Sequence, residues 1–257
     1  MVERQNSIII VDDSEIVLTY LSMMLNRMGY KKIIPATNGR QAIQLIKLFM
    51  PDIILFDIEM LDSIKTLRRI KDDKQTSNIP IVMLTTIRGM KIEAYEECKK
   101  IGFLGHLEKP VNIIKLNDIL NKCIDYKGGK KRKFLRTNFE KKVAVTHEGE
   151  TKALRAINLS EGGIYIKKID PFPVGTEIEI AIPLNKKTLN LKGTVVYIKC
   201  ISGDLFKIAP GMAIEFKKLS TEDSAILNAY IIDLLAGDII EEQEEPVIAK
   251  DDRIIYF

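Results

Sequence analysis

Between Lys127 and Arg136 the chain changes its rhythm. Before this stretch, short apolar runs alternate with segments whose apolar residues recur every three or four positions; after it, almost every segment alternates apolar and polar residues. The switch therefore predicts two folded units of different class. Gly128 and Gly129 give the backbone freedom, and Lys130, Lys131, Arg132 and Lys133 repel one another and stay solvated, which makes the stretch a flexible basic joint. Arg132 and Arg136 stand four residues apart at its end, two guanidinium forks that can close on one anion. Alone, such a run is more often a solubilising patch. The residues downstream decide between the two readings.

A length of 257 residues suits two domains of ordinary size, and a hydrophobic fraction of 46% is ample for two cores. The formal charge of +4 is too small for general coating of nucleic acid, so the field is local: basic at the joint, acidic at Glu241, Glu242, Glu244 and Glu245. Cys98, Cys123 and Cys200 are odd in number and far apart, which fits neither a disulfide framework nor a zinc site and points to a reducing compartment. With no long uncharged apolar run and no cleavable leader, the expectation is a soluble cytoplasmic protein.

In the first half, Ser7–Val11 is a continuous apolar run of the kind buried on both faces of a parallel sheet, and it ends in Asp12 and Asp13. Ser14 or Asp13 can cap the helix that follows, with apolar positions at Val17, Tyr20, Leu21, Met24, Leu25 and Met28. The unit recurs: strands near 32–35, 52–56, 79–84 and 103–107 alternate with helices over 39–49, through Leu67 and Ile70, over 90–100 and over 111–126. Five βα units predict a doubly wound five-stranded parallel sheet, whose binding crevice lies at the carboxyl ends of the strands. Asp12, Asp13, Asp57, Thr85 and Lys109 all fall there. Three carboxylates brought together repel unless a divalent cation gathers them, and Mg²⁺ suits oxygen ligands that leave positions for water and phosphate. A lysine and a hydroxyl beside them complete a set suited to phosphoryl transfer onto a carboxylate. Each residue has a plain role on its own: helix cap, turn residue, strand filler. Five compatible types at successive strand ends outweigh those readings.

This pattern resembles the receiver domain of two-component response regulators, over residues 1–126. The resemblance implies that Asp57 accepts the phosphoryl group, that Asp12, Asp13, Asp57 and the backbone carbonyl of Glu59 hold Mg²⁺, that Lys109 pairs with the phosphoryl group, and that Thr85 is the hydroxyl that moves toward it. It also implies a histidine kinase or other phosphodonor. Three departures stand out. Where the family usually reads Met-Pro followed by a glycine after the acceptor, this chain reads Ile58-Glu59-Met60-Leu61-Asp62-Ser63 with a shortened loop, Thr86 follows the hydroxyl residue where a small side chain is common, and His106 stands where the switch aromatic is expected.

Past the joint, strands are expected over 139–146, 151–159, 163–167, 176–182, 189–199 and 212–216, punctuated by turn signals such as Glu148-Gly149 and Pro210-Gly211. They predict a small antiparallel β-barrel, followed by a helix that starts at Ser220 and carries Ile226, Tyr230, Ile231, Leu234 and Leu235. Asn158 and Ser160 put two polar side chains on one strand face, and the glycines up to Gly163 admit a close approach by a ligand. With Arg132 and Arg136, these residues resemble the PilZ domain over 131–237. The resemblance implies that Arg132, Arg136, Asn158, Ser160 and Gly163 bind cyclic di-GMP. Arginine forks suit its phosphates and the edge of guanine, and can stack on the base.

The domains expected are a receiver over 1–126, a joint over 127–137, a barrel with its helix over 138–240 and an acidic tail over 241–257. The function expected is a response regulator with two inputs, phosphorylation at Asp57 and cyclic di-GMP at the barrel, relayed by a change in domain or protomer arrangement to a protein partner that the residues do not identify. No enzyme is expected beyond the phosphoryl chemistry at Asp57, and no membrane span. Two rivals are a scaffold whose barrel does not bind nucleotide and a DNA-binding regulator; the second lacks a helix-turn-helix, so DNA is not an expected partner. Pairing through the fourth and fifth units of the receiver leaves a homodimer open.

Overall fold

The computed structural model describes residues 4–86, 100–126, 134–185, 187–200 and 209–237. In the first half the elements run β1 (Arg4–Val11), α1 (Glu15–Arg27), β2 (Tyr30–Ala36), α2 (Gly39–Phe49), β3 (Ile53–Asp57), α3 (Ser63–Asp72), β4 (Ile81–Thr86), β5 (Gly105–Lys109) and α4 (Ile113–Tyr126). The strands form a parallel sheet in the order β2-β1-β3-β4-β5. Ile8 to Val11 and Ile54 to Phe56 are wholly buried, which is why these runs are apolar without alternation. Ser14 caps α1, its hydroxyl accepting from the Val17 N–H at 3.4 Å, while Asp12 Oδ1 accepts from the Ser14 N–H at 2.9 Å. The helix expected over 90–100 lies, but for Lys100, outside the described residues.

Two strands sit two residues later than the sequence suggested. Residues 79–80 belong to a turn, because Lys71 Nζ ties the carbonyls of Ser77 and Ile79 at 2.8 and 3.0 Å and Pro80 has no N–H to give a ladder. As a result Thr85 and Thr86 end β4 instead of following it, and β5 runs to Lys109.

The second half contains β6 (Arg136–Asn138), β7 (Lys142–His147), β8 (Glu150–Ser160), β9 (Gly163–Lys167), β10 (Glu177–Pro183), β11 (Thr188–Lys199), β12 (Gly211–Phe216) and α5 (Thr221–Ala236). Strands β8-β7-β10-β11-β12-β9 form an antiparallel series, and pairing of β9 with β8 closes it into a six-stranded barrel. Positive φ at Glu148 and Gly149, 50° and 78°, makes the tight β7–β8 hairpin. Alternation is clean where one face meets water: Ile178, Ile180 and Ile182 are buried, while Glu177 and Glu179 are exposed. β6 adds to the edge of long β8 beyond β7, pairing Arg136 with Ser160 and Asn138 with Asn158. Residues 127–133 of the expected joint lie outside the described residues; Arg136 and Thr137 are strand residues.

Helix α5 is apolar nearly all round, as a helix buried on two sides must be. Leu227, Tyr230, Ile231 and Leu235 are buried, with Leu227 taking the place foreseen for Ile226. One side meets β6 and β8; the other meets α1 and α4. Arg27 Nη1, in the last turn of α1, donates to the carbonyls of Gly237 at 3.0 Å and Leu235 at 3.4 Å, so a cation from one half closes the negative end of a helix of the other. Among the described residues, no helix is long and apolar enough to cross a membrane.

Candidate functional site

The crevice at the carboxyl end of the parallel sheet gathers four of the predicted strand-end residues by topology alone. Asp12 leaves β1, Asp57 ends β3 and Lys109 ends β5, with Asp13 beside them in the β1–α1 loop. Asp12 is fully buried and Asp57 is 3% exposed. Lys109 Nζ stands between them, 2.7 Å from Asp12 Oδ2 and 3.0 Å from Asp57 Oδ2. The Lys109–Pro110 peptide is cis. Burial pushes the Asp57 carboxyl above its usual range, more than the hydrogen bonds from Lys109 and the Glu59 N–H pull it down. Burial works against the Lys109 charge too, but its hydrogen bonds to Asp12 and Asp57 prevail and hold its pKa above the ordinary value.

Carboxylate oxygens of Asp12, Asp13 and Asp57 come within 4.8 Å of one another, and Asp12 Oδ2, which takes one hydrogen bond from Lys109, keeps a second lone pair. An all-oxygen set with acceptor capacity left over fits a hard dication such as Mg²⁺.

Thr85 is 6% exposed at the end of β4, and its hydroxyl contacts the Thr86 carbonyl at 3.1 Å and Glu59 Oε1 at 3.3 Å. His106 is exposed on β5, in register with Met83, two residues before Thr85 on β4. The sequence reading treated Glu59 only as a backbone oxygen. In the fold its side chain is the more engaged part, accepting from the Thr86 N–H at 2.6 Å and from the Thr86 hydroxyl at 2.7 Å. Thr86, which stands where a small side chain is common, is half of this contact.

The second candidate site lies on the barrel, where β6 meets the end of β8. Arg136 lies opposite Ser160, and Asn158 is two residues back on the same strand. The Arg136 Nε is buried with no hydrogen-bond partner among the described residues, and burial lowers the guanidinium pKa. Ser160 Oγ donates to the Gly163 carbonyl at 3.0 Å, which closes the turn. Arg132 lies outside the described residues.

The reason given for the glycines needs correction. A Cβ on Gly163 would collide with the Ile214 carbonyl oxygen of β12, and one on Gly162 with the Phe134 ring. The close neighbour of Gly163 is therefore a strand of the barrel itself. Sequence reasoning also missed Glu161, whose Oε1 accepts from the Ser224 hydroxyl at 2.6 Å and so ties this turn to the first turn of α5.

The chain matches the family described as Response regulator receiver domain over residues 8–121 and the PilZ domain over residues 130–233. It is 30% identical over 122 residues to the sporulation initiation phosphotransferase F of Bacillus subtilis, covering 47% of this chain and 94% of that protein. It is 33% identical over 107 residues to the protein PilH of Pseudomonas aeruginosa, covering 41% of this chain and 86% of that protein. With a protein-glutamate methylesterase/protein-glutamine glutaminase of Treponema denticola it shares 30% identity over 125 residues, 46% of this chain but 33% of that longer protein.

Proposed function

We propose that this chain, which belongs to the response regulator receiver family and carries a PilZ domain behind its receiver, accepts a phosphoryl group on Asp57 and binds cyclic di-GMP at the barrel, relaying both inputs to a protein partner. The observation that carries the reading is the strand-end cluster, in which two buried carboxylates share one lysine and a third stands beside them. An Asp57 carboxylate oxygen would attack the phosphorus of a phosphohistidine, forming an acyl phosphate as the nitrogen–phosphorus bond breaks and the imidazole leaves. Mg²⁺, held by Asp12, Asp13, Asp57 and the Glu59 carbonyl, would supply charge neutralisation for the phosphoryl oxygens. Lys109, already oriented by the two carboxylates, offers its ammonium to the same oxygens, and Thr85 offers a hydroxyl from β4.

At the barrel, Arg136 and Arg132 would fork onto the phosphates or guanine edges of the nucleotide, and Asn158 and Ser160 would border it. The buried Arg136 Nε, without a hydrogen-bond partner among the described residues, is the feature that asks for an anion or a guanine edge there. The relay is supported by the contacts of α5, tied to the nucleotide turn through Ser224 and to α1 through Arg27. Titration calorimetry with cyclic di-GMP on the intact chain and on Arg136→Ala, each with and without beryllofluoride and Mg²⁺, tests the whole reading. Binding that the substitution abolishes and that the phosphoryl mimic shifts is the expected result. An intact chain that does not bind would leave the barrel a scaffold and Asp57 the only input.

A further inference from the structure

Glu59 follows the acceptor by two residues and spans the receiver site. Its N–H donates to Asp57 Oδ1 at 3.1 Å. Its side chain crosses to the end of β4, where Oε1 accepts from the Thr86 N–H at 2.6 Å, the Thr86 hydroxyl at 2.7 Å and the Thr85 hydroxyl at 3.3 Å. A glutamate side chain is ordinarily an anion at neutral pH, and these donors all converge on one of its oxygens.

The register shows what else would need those donors. Asp57 is level with Leu84, so a group attached to its carboxylate reaches past the strand end to the level of Thr85 and Thr86, one and two residues of about 3.3 Å further along. Phosphoryl oxygens at that level require the Thr85 hydroxyl, the Thr86 N–H and Lys109 as donors. One N–H at 2.6 Å from a carboxylate oxygen cannot serve a second anion with good geometry, and two anions within hydrogen-bonding distance of the same donors repel.

We propose that Glu59 is a built-in competitor of the phosphoryl group: its carboxylate occupies the donors at the end of β4 that the phosphorylated acceptor needs, and phosphorylation must displace it. This inference rests on the reading of Asp57 as acceptor. It accounts for Thr86, whose hydroxyl is the second anchor of the competitor, and it makes Glu59 a positioning residue acting through Thr85 and Thr86. Release of the carboxylate then accompanies movement of Thr85 toward the new anion.

The test uses the full chain with Mg²⁺ and beryllofluoride as the phosphoryl mimic, in wild type, Glu59→Ala, Glu59→Gln and Thr86→Ala. The half-saturating mimic concentration is expected to fall about tenfold in Glu59→Ala, a gain of about 1.4 kcal/mol. The neutral, isosteric Glu59→Gln should fall by less, and so should Thr86→Ala, which deletes one anchor. The Thr86 amide proton supplies a readout that a purely structural role would not move: in Glu59→Ala it shifts upfield without the mimic and returns when the mimic is added. Equal or weaker mimic binding in both Glu59 variants, with wild type still binding, overturns the competitor and leaves the acceptor standing. No binding by any of the four proteins overturns the acceptor reading and the competitor with it.

Discussion

Two buried cations divide this molecule. Lys109 lies between two carboxylates at 2.7 and 3.0 Å, whereas Arg136 carries a buried Nε with no partner among the described residues. Each has lost part of its water, and among the described residues the lysine ammonium finds replacement partners while the arginine Nε does not. The receiver crevice is held together by its own charges, and the barrel site keeps a donor that no described residue answers.

The sharpest way to break that comparison is to remove Lys109. Lys109→Met leaves Asp12 and Asp57 buried without a cation and is expected to lower stability by about 3–5 kcal/mol, read as thermal unfolding in chelator, with Mg²⁺ restoring part of it. The loss should be greatest above the ordinary carboxylate range and shrink as acid neutralises the two groups. An unchanged melting temperature would mean that the crevice is not held by its charges.

On the barrel side cohesion resides in the seam between β9 and β12. Gly163→Ala forces a Cβ against the Ile214 carbonyl and should cost about 2–4 kcal/mol, while phosphorylation of the receiver by a small phosphodonor persists. Denaturant unfolding followed separately from phosphorylation distinguishes the two halves.

Arg136→Met should behave oppositely to Lys109→Met. Without ligand it is expected to leave stability unchanged or raise it by about 1 kcal/mol, because it removes an unanswered donor, while cyclic di-GMP affinity falls about 100-fold. A destabilisation as large as that of Lys109→Met would show that the arginine has a cohesive role after all.

The smallest effect concerns Asp57. Burial holds its folded-state carboxyl above the ordinary aspartate value of 3.8, so ionisation opposes folding at neutral pH. That cost is complete above the raised value, and it disappears as pH falls below 3.8, where the folded and unfolded forms are both protonated. Asp57→Asn is therefore expected to raise the melting temperature by about 2 °C in chelator at pH 7.5, with the gain fading on acidification. A gain that grows on acidification would reverse the sign assigned to this burial.

What the sequence made legible was local. Unbroken apolar runs ending in Asp12 and Asp57 mark buried strands and their carboxyl ends, so the sheet and its acidic crevice could be read from period and position. The start of β4 could not, because Ile79 looks like strand and is held in a turn by Lys71 from six to eight residues away. β6 is three residues long, too short to show a period, so Arg136 read as part of the joint. The engagement of Glu59 with Thr86 joins residues 27 apart across the mouth of the crevice, and no spacing rule announces it. Gly163 was noticed for the right property, but its neighbour is a carbonyl of β12, which only the closed barrel brings there. The second face of α5 was visible in composition, as too many apolar residues for one contact surface, without saying that the receiver would cover it.

That second face sets a limit on modularity. Helix α1 begins at Ser14, beside the acidic cluster, and ends at Arg27, whose guanidinium closes the last carbonyls of α5. Grafting a foreign receiver onto this barrel would preserve both folds yet strip α5 of that closure unless the graft brought its own arginine to the same turn. The two halves share one buried core where α5 packs, so they are keyed to each other.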